Sequence, residues 1–514
     1  MPSPRAPHLP AVLADGLRAD LAAGFTRADV EDALGPVAAA ALRREEPVAA
    51  RRATEGAREP AAVLSRLFLL GGAVSRAALD AALPRTTTAG ATAVGLVTAA
   101  GEDAADEVRA AVDLRPYEAS DAAGDARWWV TSDLGELATG RSLHADHVLG
   151  IGGASLTLAR ITVRDHRPRV LDLGTGCGVQ ALHATRHAEH VLGTDISRRA
   201  LDFAAFNSSL AGTSVELREG SLLEPVAGER FDLVVSNPPF VITPPAAHAA
   251  GLPVMEYRDG AMPGDSLVAD LVSGLGTHLA AGGVAQLLGN WEHHAGEDWR
   301  ERVGTWLEAA GTDGWVVQRE VQDPAEYAHT WLRDGGLRPG TALFDTALSA
   351  WLDDFAARGV EGVGFGYLVL RRPTEGSRPR WRRVEEVTTP VHRPLGGHVA
   401  HVLAAQEWLA ATDDAALADH RLRVAEDVTE ERHLRPGEPD PRVLLLRQGG
   451  GFGRTYQPGT LVAGAVGACD GELTLGQIVA GLAVVLDQAA DAVAAEVLPA
   501  ARELLLDGVL LPAD

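Results

Sequence analysis

The stretch that most constrains this chain is Arg169 to Ala184, RVLDLGTGCGVQALHA. Val170-Leu171-Asp172-Leu173 reads as a short buried strand and Gly174-Thr175-Gly176-Cys177-Gly178 as a tight turn. Val179 to Arg186 has helical apolar spacing. Glycines in such a turn let the backbone take positive φ and let a ligand approach the main chain closely. The helix that follows points its free N–H groups at that ligand. That much specifies a nucleotide-like cofactor on a strand–turn–helix.

Two details narrow the ligand. The glycines are spaced G-x-G-x-G, whereas a dinucleotide fingerprint would place its third glycine at Val179. Asp172 sits two residues before Gly174, at the strand end, where it would repel a pyrophosphate but welcome a cationic amino acid group. Val191-Leu192-Gly193-Thr194-Asp195 then reads as a second strand, closing on an acid placed to take ribose hydroxyls.

Further on, Phe231 to Val235 reads as a strand and runs into Ser236-Asn237-Pro238-Pro239-Phe240. The prolines fix φ and supply no N–H, so the loop is stiff. The Asn237 side-chain oxygen and the Pro238 carbonyl make a spaced pair of acceptors for an –NH₂ group, and Phe240 offers a flat face to a planar group. The implied target is an amide or an exocyclic amine, whose delocalised lone pair is a poor nucleophile. Accepting both N–H bonds draws that lone pair forward, and in-line placement contributes the rest without a strong general base.

Taken in order, the glycine turn, the acid before it and the acid after the next strand resemble the S-adenosylmethionine site of class I methyltransferases. SNPPF after FDLVV resembles the (D/N/S)-P-P-(Y/F/W) motif of amino-group methyltransferases, which include release-factor glutamine, ribosomal RNA guanine and adenine, and DNA adenine methyltransferases. The resemblance covers roughly residues 145 to 372 and implies S-adenosylmethionine as cofactor. It implies Asp172, Gly174, Thr175, Gly176, Gly178, Asp195, Ile196, Ser221, Leu222 and Asn237 as cofactor-binding residues, and Asn237, Pro238, Pro239 and Phe240 as catalytic ones. Ser221 stands where the family usually carries the Asp of Gly-Asp-Leu, which contacts the adenine amine. Tyr257 to Asp265 resembles the Gly-Gly-x-Asp-Gly loop of the glutamine methyltransferases and would lid the pocket. Asn207 is family-like, and equally a helix cap near Gly212.

At 514 residues the chain exceeds the ~250–300 over which a single core keeps growing. The reading is α/β: a seven-stranded, Rossmann-like methyltransferase sheet over residues 141–373, flanked by mainly helical winged-helix-like modules at 1–140 and 374–514. Strands are expected at 169–173, 191–195, 214–218, 231–235, 283–288, 314–321 and 362–372, and a helix over Ala145 to Thr162. GVEGVGFGYLVLRR is expected as a hairpin, with the last strand antiparallel. In the first module, helices are expected at Leu64–Leu70 and Ala77–Leu83, and strands at Ala93–Thr98 and Val108–Leu114. In the last, Gly449 to Arg454 reads as a hairpin tip and Thr474 as a helix cap.

Cys177 and Cys469 are the only cysteines, so neither a disulfide framework nor a zinc cluster is expected, and Cys177 reads as the small residue its turn needs. His293-His294 lacks companions at ligand spacing and reads as solvated loop histidines; no metal is expected. The first residues lack a charged region followed by an apolar core, and no apolar run approaches the ~18 residues of a membrane span. A cytoplasmic setting without membrane attachment is expected. The net charge of −24 argues against bulk attachment to nucleic acid and suits a basic protein partner. Arg371, Arg372, Arg378, Arg380, Trp381, Arg382 and Arg383 form a local exception, readable as an RNA contact or as a solvated linker paired with neighbouring acids. The reading is therefore an N-methyltransferase of a planar amide or amino nitrogen on a macromolecule, leaning to a glutamine side chain of a translation factor. A ribosomal or transfer RNA base is the alternative target. A catalytically silent methyltransferase fold serving as a binding module is the alternative class, and small-molecule methylation is disfavoured by the flanking modules.

Overall fold

The computed structural model describes residues 6–513 except 142, 250, 251, 253, 261, 375–379 and 393. The chain divides into two compact units. One comprises Met1–Ala159, His166–Thr374 and Arg382–Glu386, the other Arg160–Asp165, Glu375–Trp381 and Val387–Asp514.

The first unit is built on one sheet. Its strands are β1 (Arg167–Leu173), β2 (Ala188–Asp195), β3 (Glu216–Glu219), β4 (Phe231–Ser236), β5 (Leu279–His294), β6 (Asp313–Gln322), β7 (Val360–Arg371) and β8 (Arg382–Glu386). They lie in the order β8-β6-β7-β5-β4-β1-β2-β3. The helices that matter for the site are α1 (Gly153–Ile161), α2 (Val179–Ala184) and α3 (Arg198–Ala211). Strands β1 to β5 run parallel where they pair, as buried Val/Leu-rich runs joined by crossovers should. β7 inserts between β5 and β6 and runs antiparallel to both, as the resemblance implies for the last strand. The sheet order reverses between β1 and β4, which opens a crevice at the carboxyl ends of the strands. Register brings the motifs to one edge: Leu173 pairs with both Thr194 and Ser236, and the Ser236 hydroxyl donates to the Leu173 carbonyl at 2.8 Å.

The sheet corrects three expectations. First, β8 is an additional strand, parallel to β6, so Arg382 and Arg383 belong to the sheet rather than to a linker. Second, GVEGVGFGYLVLRR is one continuous strand, not a hairpin. Its Gly364 and Gly366 make room for strand β6 and the fully buried Trp291: a Cβ on Gly364 would lie 2.2 Å from Gln318 Oε1 and 2.5 Å from the indole, and one on Gly366 2.0 Å from the Val317 carbonyl oxygen and 2.9 Å from the indole. Third, only Gly153–Ile161 of the expected 145–162 helix is helical. Residues 145–152 are held as irregular chain, with the Val148 N–H donating to Asp133 Oδ2 at 2.9 Å.

The N-terminal part shares one apolar core with the sheet helices: Leu17, Phe25, Phe68, Leu114 and Val130 cluster with Val179, Leu182, Phe203 and Phe206. Thr26 and Asp29 close a capping box. The helix expected over Leu64–Leu70 runs as Pro60–Leu64 followed by a π turn over Ser65–Leu69. Ser75 caps the helix Arg76–Ala82. Residues 93–98 end a helix, Thr87–Ala93, before a strand at Val97–Ala99, and the 108–114 run breaks into Glu107–Ala110 and Asp113–Asp121.

The second unit carries helices Gly396–Ala410, Thr460–Gly467, Leu475–Val485 and Ala490–Leu506 and two three-stranded antiparallel sheets. Thr474 and Gln477 form the expected capping box. The Gly449–Gly453 run is a hairpin tip between Val443–Gln448 and Thr455–Tyr456. The N–H of Gly450 donates to the Asp427 carboxylate at 2.6 Å, which gives this glycine run an acid where a phosphate cradle would need an open donor. Among the described residues no helix is long and apolar enough to cross a membrane.

Candidate active site

A cavity of about 530 Å³ opens at the crevice between β1 and β4, a volume within the range of small-molecule sites. The glycine turn forms one wall. Gly174, Gly176 and Gly178 have φ of 72°, 55° and 88°, so each adopts a conformation that a side chain would strain. A Cβ on Gly174 or Gly176 would meet no protein atom within 4 Å, whereas one on Gly178 would lie 3.1 Å from Ala204 Cβ. The first two glycines thus leave main chain open to a ligand, and the third lets α2 sit against α3. Gly178 itself does not line the cavity.

Asp172 is buried at the base of that wall. Its Oδ2 accepts from the Thr175 hydroxyl at 2.6 Å and from the Ala181 N–H at 2.8 Å, which leaves Oδ1 for the cavity it lines. Burial pushes its carboxyl up to about 7 against the pull of those donors. Asp195, at the end of β2, accepts from the Gly176 N–H at 2.8 Å through Oδ2 and from the Ser197 N–H at 2.9 Å through Oδ1. Burial raises its pKa too, opposed by these backbone donors. Ile196, Ser221 and Leu222 continue the wall; Leu222 has φ 46°, strained backbone of the kind that clusters at functional sites.

Asn237, Pro238 and Pro239 form the facing wall. Asn237 Oδ1 is buried and has no hydrogen-bond partner. An acceptor of this kind costs about 1–3 kcal/mol when unsatisfied, and it belongs to a residue that lines the cavity. Phe240 does not reach the cavity. Its ring packs edge-on against Trp331 and Phe365, at centroid distances of 6.3 and 6.4 Å, and stiffens the loop from behind.

Of the loop expected to lid the pocket, Tyr257, Asp259, Gly260 and Met262 line the cavity, and so do Val254 and Glu256 just before it. Asp259 accepts from the Thr243 hydroxyl and from the Met255 N–H, each at 2.7 Å, and Val241 N–H donates to the Arg258 carbonyl at 2.9 Å, clamping the loop to the chain after Phe240. Asp265 lies outside the cavity: it accepts from the Glu292 N–H and pairs with Arg302. The segment His147 to Gly150 also lines the cavity, which the expectation of a helix there obscured.

Other candidates lie elsewhere. Asn207 is fully buried; its Oδ1 accepts from the Thr131 N–H and hydroxyl, and its Nδ2 donates to the carbonyls of Thr131 and Cys177. It therefore fastens the N-terminal hairpin to the glycine turn and does not cap its helix. Burial pushes the Cys177 thiol up to about 12, consistent with a packing role. His293 and His294 are the last residues of β5, not loop residues, bonded to Gln318 and to the Arg358 carbonyl. Among the arginines, Arg372 donates to the Leu279 carbonyl, Arg382 pairs with Glu308 and Arg383 with Glu385. Arg378 lies outside the described residues.

Three family models match: a domain of unknown function (DUF7059) at residues 22–111, the methyltransferase small domain at 148–251, and a further domain of unknown function (DUF7782) at 400–512. The second match takes in the glycine turn, Asp195 and Asn237-Pro238-Pro239 of the cavity lining. The central domain is a class I S-adenosylmethionine-dependent methyltransferase domain.

Over 160 residues, 30% of this chain, the protein is 41% identical to the release factor glutamine methyltransferase of Xylella fastidiosa, covering 56% of it. It is 33% identical over 167 residues to the ribosomal protein uL3 glutamine methyltransferase of Bradyrhizobium diazoefficiens, again 30% of this chain and 51% of that protein. The chain thus spans about half the length of the curated relatives it matches. A solved 16S rRNA N2 G1207 methyltransferase of T. thermophilus, in complex with AdoMet and guanosine, aligns at 17% identity over 48% of this chain and 62% of that one, with a TM-score of 0.26. A score that low adds nothing to the sequence matches. The residues of the methyltransferase domain fit the cofactor: open main chain at Gly174 and Gly176, a buried carboxylate at Asp172 and a second carboxylate, at Asp195, across the glycine turn.

Proposed function

We propose that this protein transfers a methyl group from S-adenosylmethionine to the side-chain nitrogen of a glutamine in a protein of the translation apparatus. The observation that carries the proposal is Asn237 Oδ1, a buried acceptor without a partner on a residue that lines the same cavity as Asp172 and Asp195. The glutamine methyltransferases among the relatives support this choice of acceptor, and so does the local pairing of Arg372, Arg382 and Arg383, which engages part of the basic cluster within the chain.

Gly174 and Gly176 would admit the cofactor to the main chain, Asp172 would face its cationic amino acid end, and Asp195 would take its ribose hydroxyls. When bound, the cofactor supplies an electrophilic methyl group on a sulfonium. Asn237 Oδ1 would accept one hydrogen of the acceptor's –NH₂ group and the Pro238 carbonyl the other, orienting the nitrogen and drawing its lone pair forward. The prolines hold these acceptors at fixed spacing, and the Phe240 packing keeps their loop from yielding.

The test is methylation of a cell extract by the full chain with labelled methyl donor, followed by nuclease or protease. Label that survives nuclease, disappears with protease and is recovered as N-methylglutamine supports the proposal. Label removed by nuclease would transfer the reading to an RNA base.

A further inference from the structure

The cavity is acidic and its mouth is apolar. Asp172, Asp195, Glu256 and Asp259 line it, and among the described lining residues none is a lysine or an arginine. His147 lines it too, but burial lowers its pKa and keeps it neutral near pH 7. A phosphodiester entering this cavity would meet carboxylates and no compensating cation.

Three of the four acids already have work within the site described. Asp172 and Asp195 belong to the cofactor wall, and Asp259 is spent on Thr243, the Met255 N–H and Arg258. Glu256 differs. It is exposed, and its backbone is fixed: its N–H donates to the Ala145 carbonyl at 3.0 Å, within a turn closed by Arg258 and Asp259 N–H groups on the Met255 carbonyl. Leu149 and Val254, large apolar side chains, also line the cavity while remaining 45% and 50% exposed. A carboxylate on a hydrogen-bonded turn, in a cavity that also exposes two apolar side chains, matches an extended peptide that presents one cation and apolar neighbours.

We infer that Glu256 sets substrate specificity, pairing with a basic side chain next to the methylated glutamine while Leu149 and Val254 pack against the neighbouring chain. This rests on the glutamine reading above and names the sequence class it selects: basic-flanked, never acidic-flanked. The net charge of −24 steers such a segment inward over longer range.

The test compares synthetic glutamine peptides that differ only in a basic, neutral or acidic flank, using the full chain and its Glu256→Gln and Glu256→Arg variants. Cofactor titration and thermal melting report on folding and the donor site, and neither should move. The wild type should prefer the basic flank through KM. Glu256→Gln should raise KM for that peptide about fivefold with kcat held, the scale of one solvent-exposed ion pair. Glu256→Arg should reverse the order of preference. Equal KM for the flanks, or a preference that survives Glu256→Gln, would overturn this inference and leave the glutamine reading standing. Transfer to RNA with none to any peptide would overturn both.

Discussion

The two walls of the cavity are finished differently. On the wall proposed to hold the methyl donor, each carboxylate is already held by the chain: Asp172 by Thr175 and the Ala181 N–H, Asp195 by the Gly176 and Ser197 N–H groups. On the acceptor wall, Asn237 Oδ1 has no partner and Glu256 stands in solvent. A wall whose polar groups are oriented before the ligand arrives loses little freedom on binding. A wall that keeps groups unpaired reserves them for a molecule that supplies the missing donors. The contrast suits a site with one constant occupant and one that must be recognised.

The sharpest way to break this contrast is Asn237→Ala. It removes the unpaired acceptor and touches neither Asp172 nor Asp195. Methyl transfer should fall by on the order of 10²–10³-fold in kcat, the scale for losing one preorganised polar group at a reacting centre. Donor affinity by calorimetry should stay within about twofold, on the expectation that ground-state binding does not use that oxygen. If donor affinity fell in step with kcat, the two walls would not be separable.

Asp195→Ala makes the converse cut. It removes the acceptor of two backbone N–H groups and the proposed ribose contact, so donor affinity should weaken roughly 10- to 100-fold, the range of hydrogen bonds to a charged group. At saturating donor, kcat should recover most of its value. A kcat loss that saturation does not repair would place Asp195 in the reacting geometry rather than on the donor wall alone.

Much of the donor wall was legible in the sequence because its signals are local. The G-x-G-x-G spacing, the acid before it and the acid after the next apolar run are each set by a few consecutive residues. Most of the sheet was legible for the same reason, since strands such as Val170–Leu173 and Phe231–Val235 are short, mainly apolar runs. What escaped depends on contacts between distant residues. Gly364 and Gly366 look like turn glycines until Trp291, from another strand, is seen to need the space. Phe240 looked like a stacking face, yet Trp331 and Phe365 hold its ring in the protein. The ADHVLGIG segment has apolar spacing enough for a helix, but Gly150, Gly152 and the bond from Val148 N–H to Asp133 leave it irregular, and His147 to Gly150 become cavity wall. Charge misled in the same way: Arg382 and Arg383 read as a basic tract, whereas register places them on a strand beside β6, paired with Glu308 and Glu385.

The gentlest probe of the comparison is pH, because it alters the donor wall without changing a residue. Burial pushes the Asp172 carboxyl up to about 7, since its two protein donors only partly offset the loss of water. In the free protein the group is thus largely protonated below pH 7 and ionised above it. A ligand that brings positive charge to Oδ1 favours the ionised form and lowers that pKa on binding. Below pH 7, then, binding must release a proton, and donor affinity should fall by up to about tenfold for each unit of pH lost, levelling off above 7. Calorimetry at pH 6 in buffers of different ionisation enthalpy should register that proton, and Asp172→Asn should abolish both the release and the slope. Asn237, proposed to hold the reacting nitrogen, does not titrate, so kcat at saturating donor and peptide should show no step near 7. A step there would mean that Asp172 acts on the acceptor, and the division between the walls would fail.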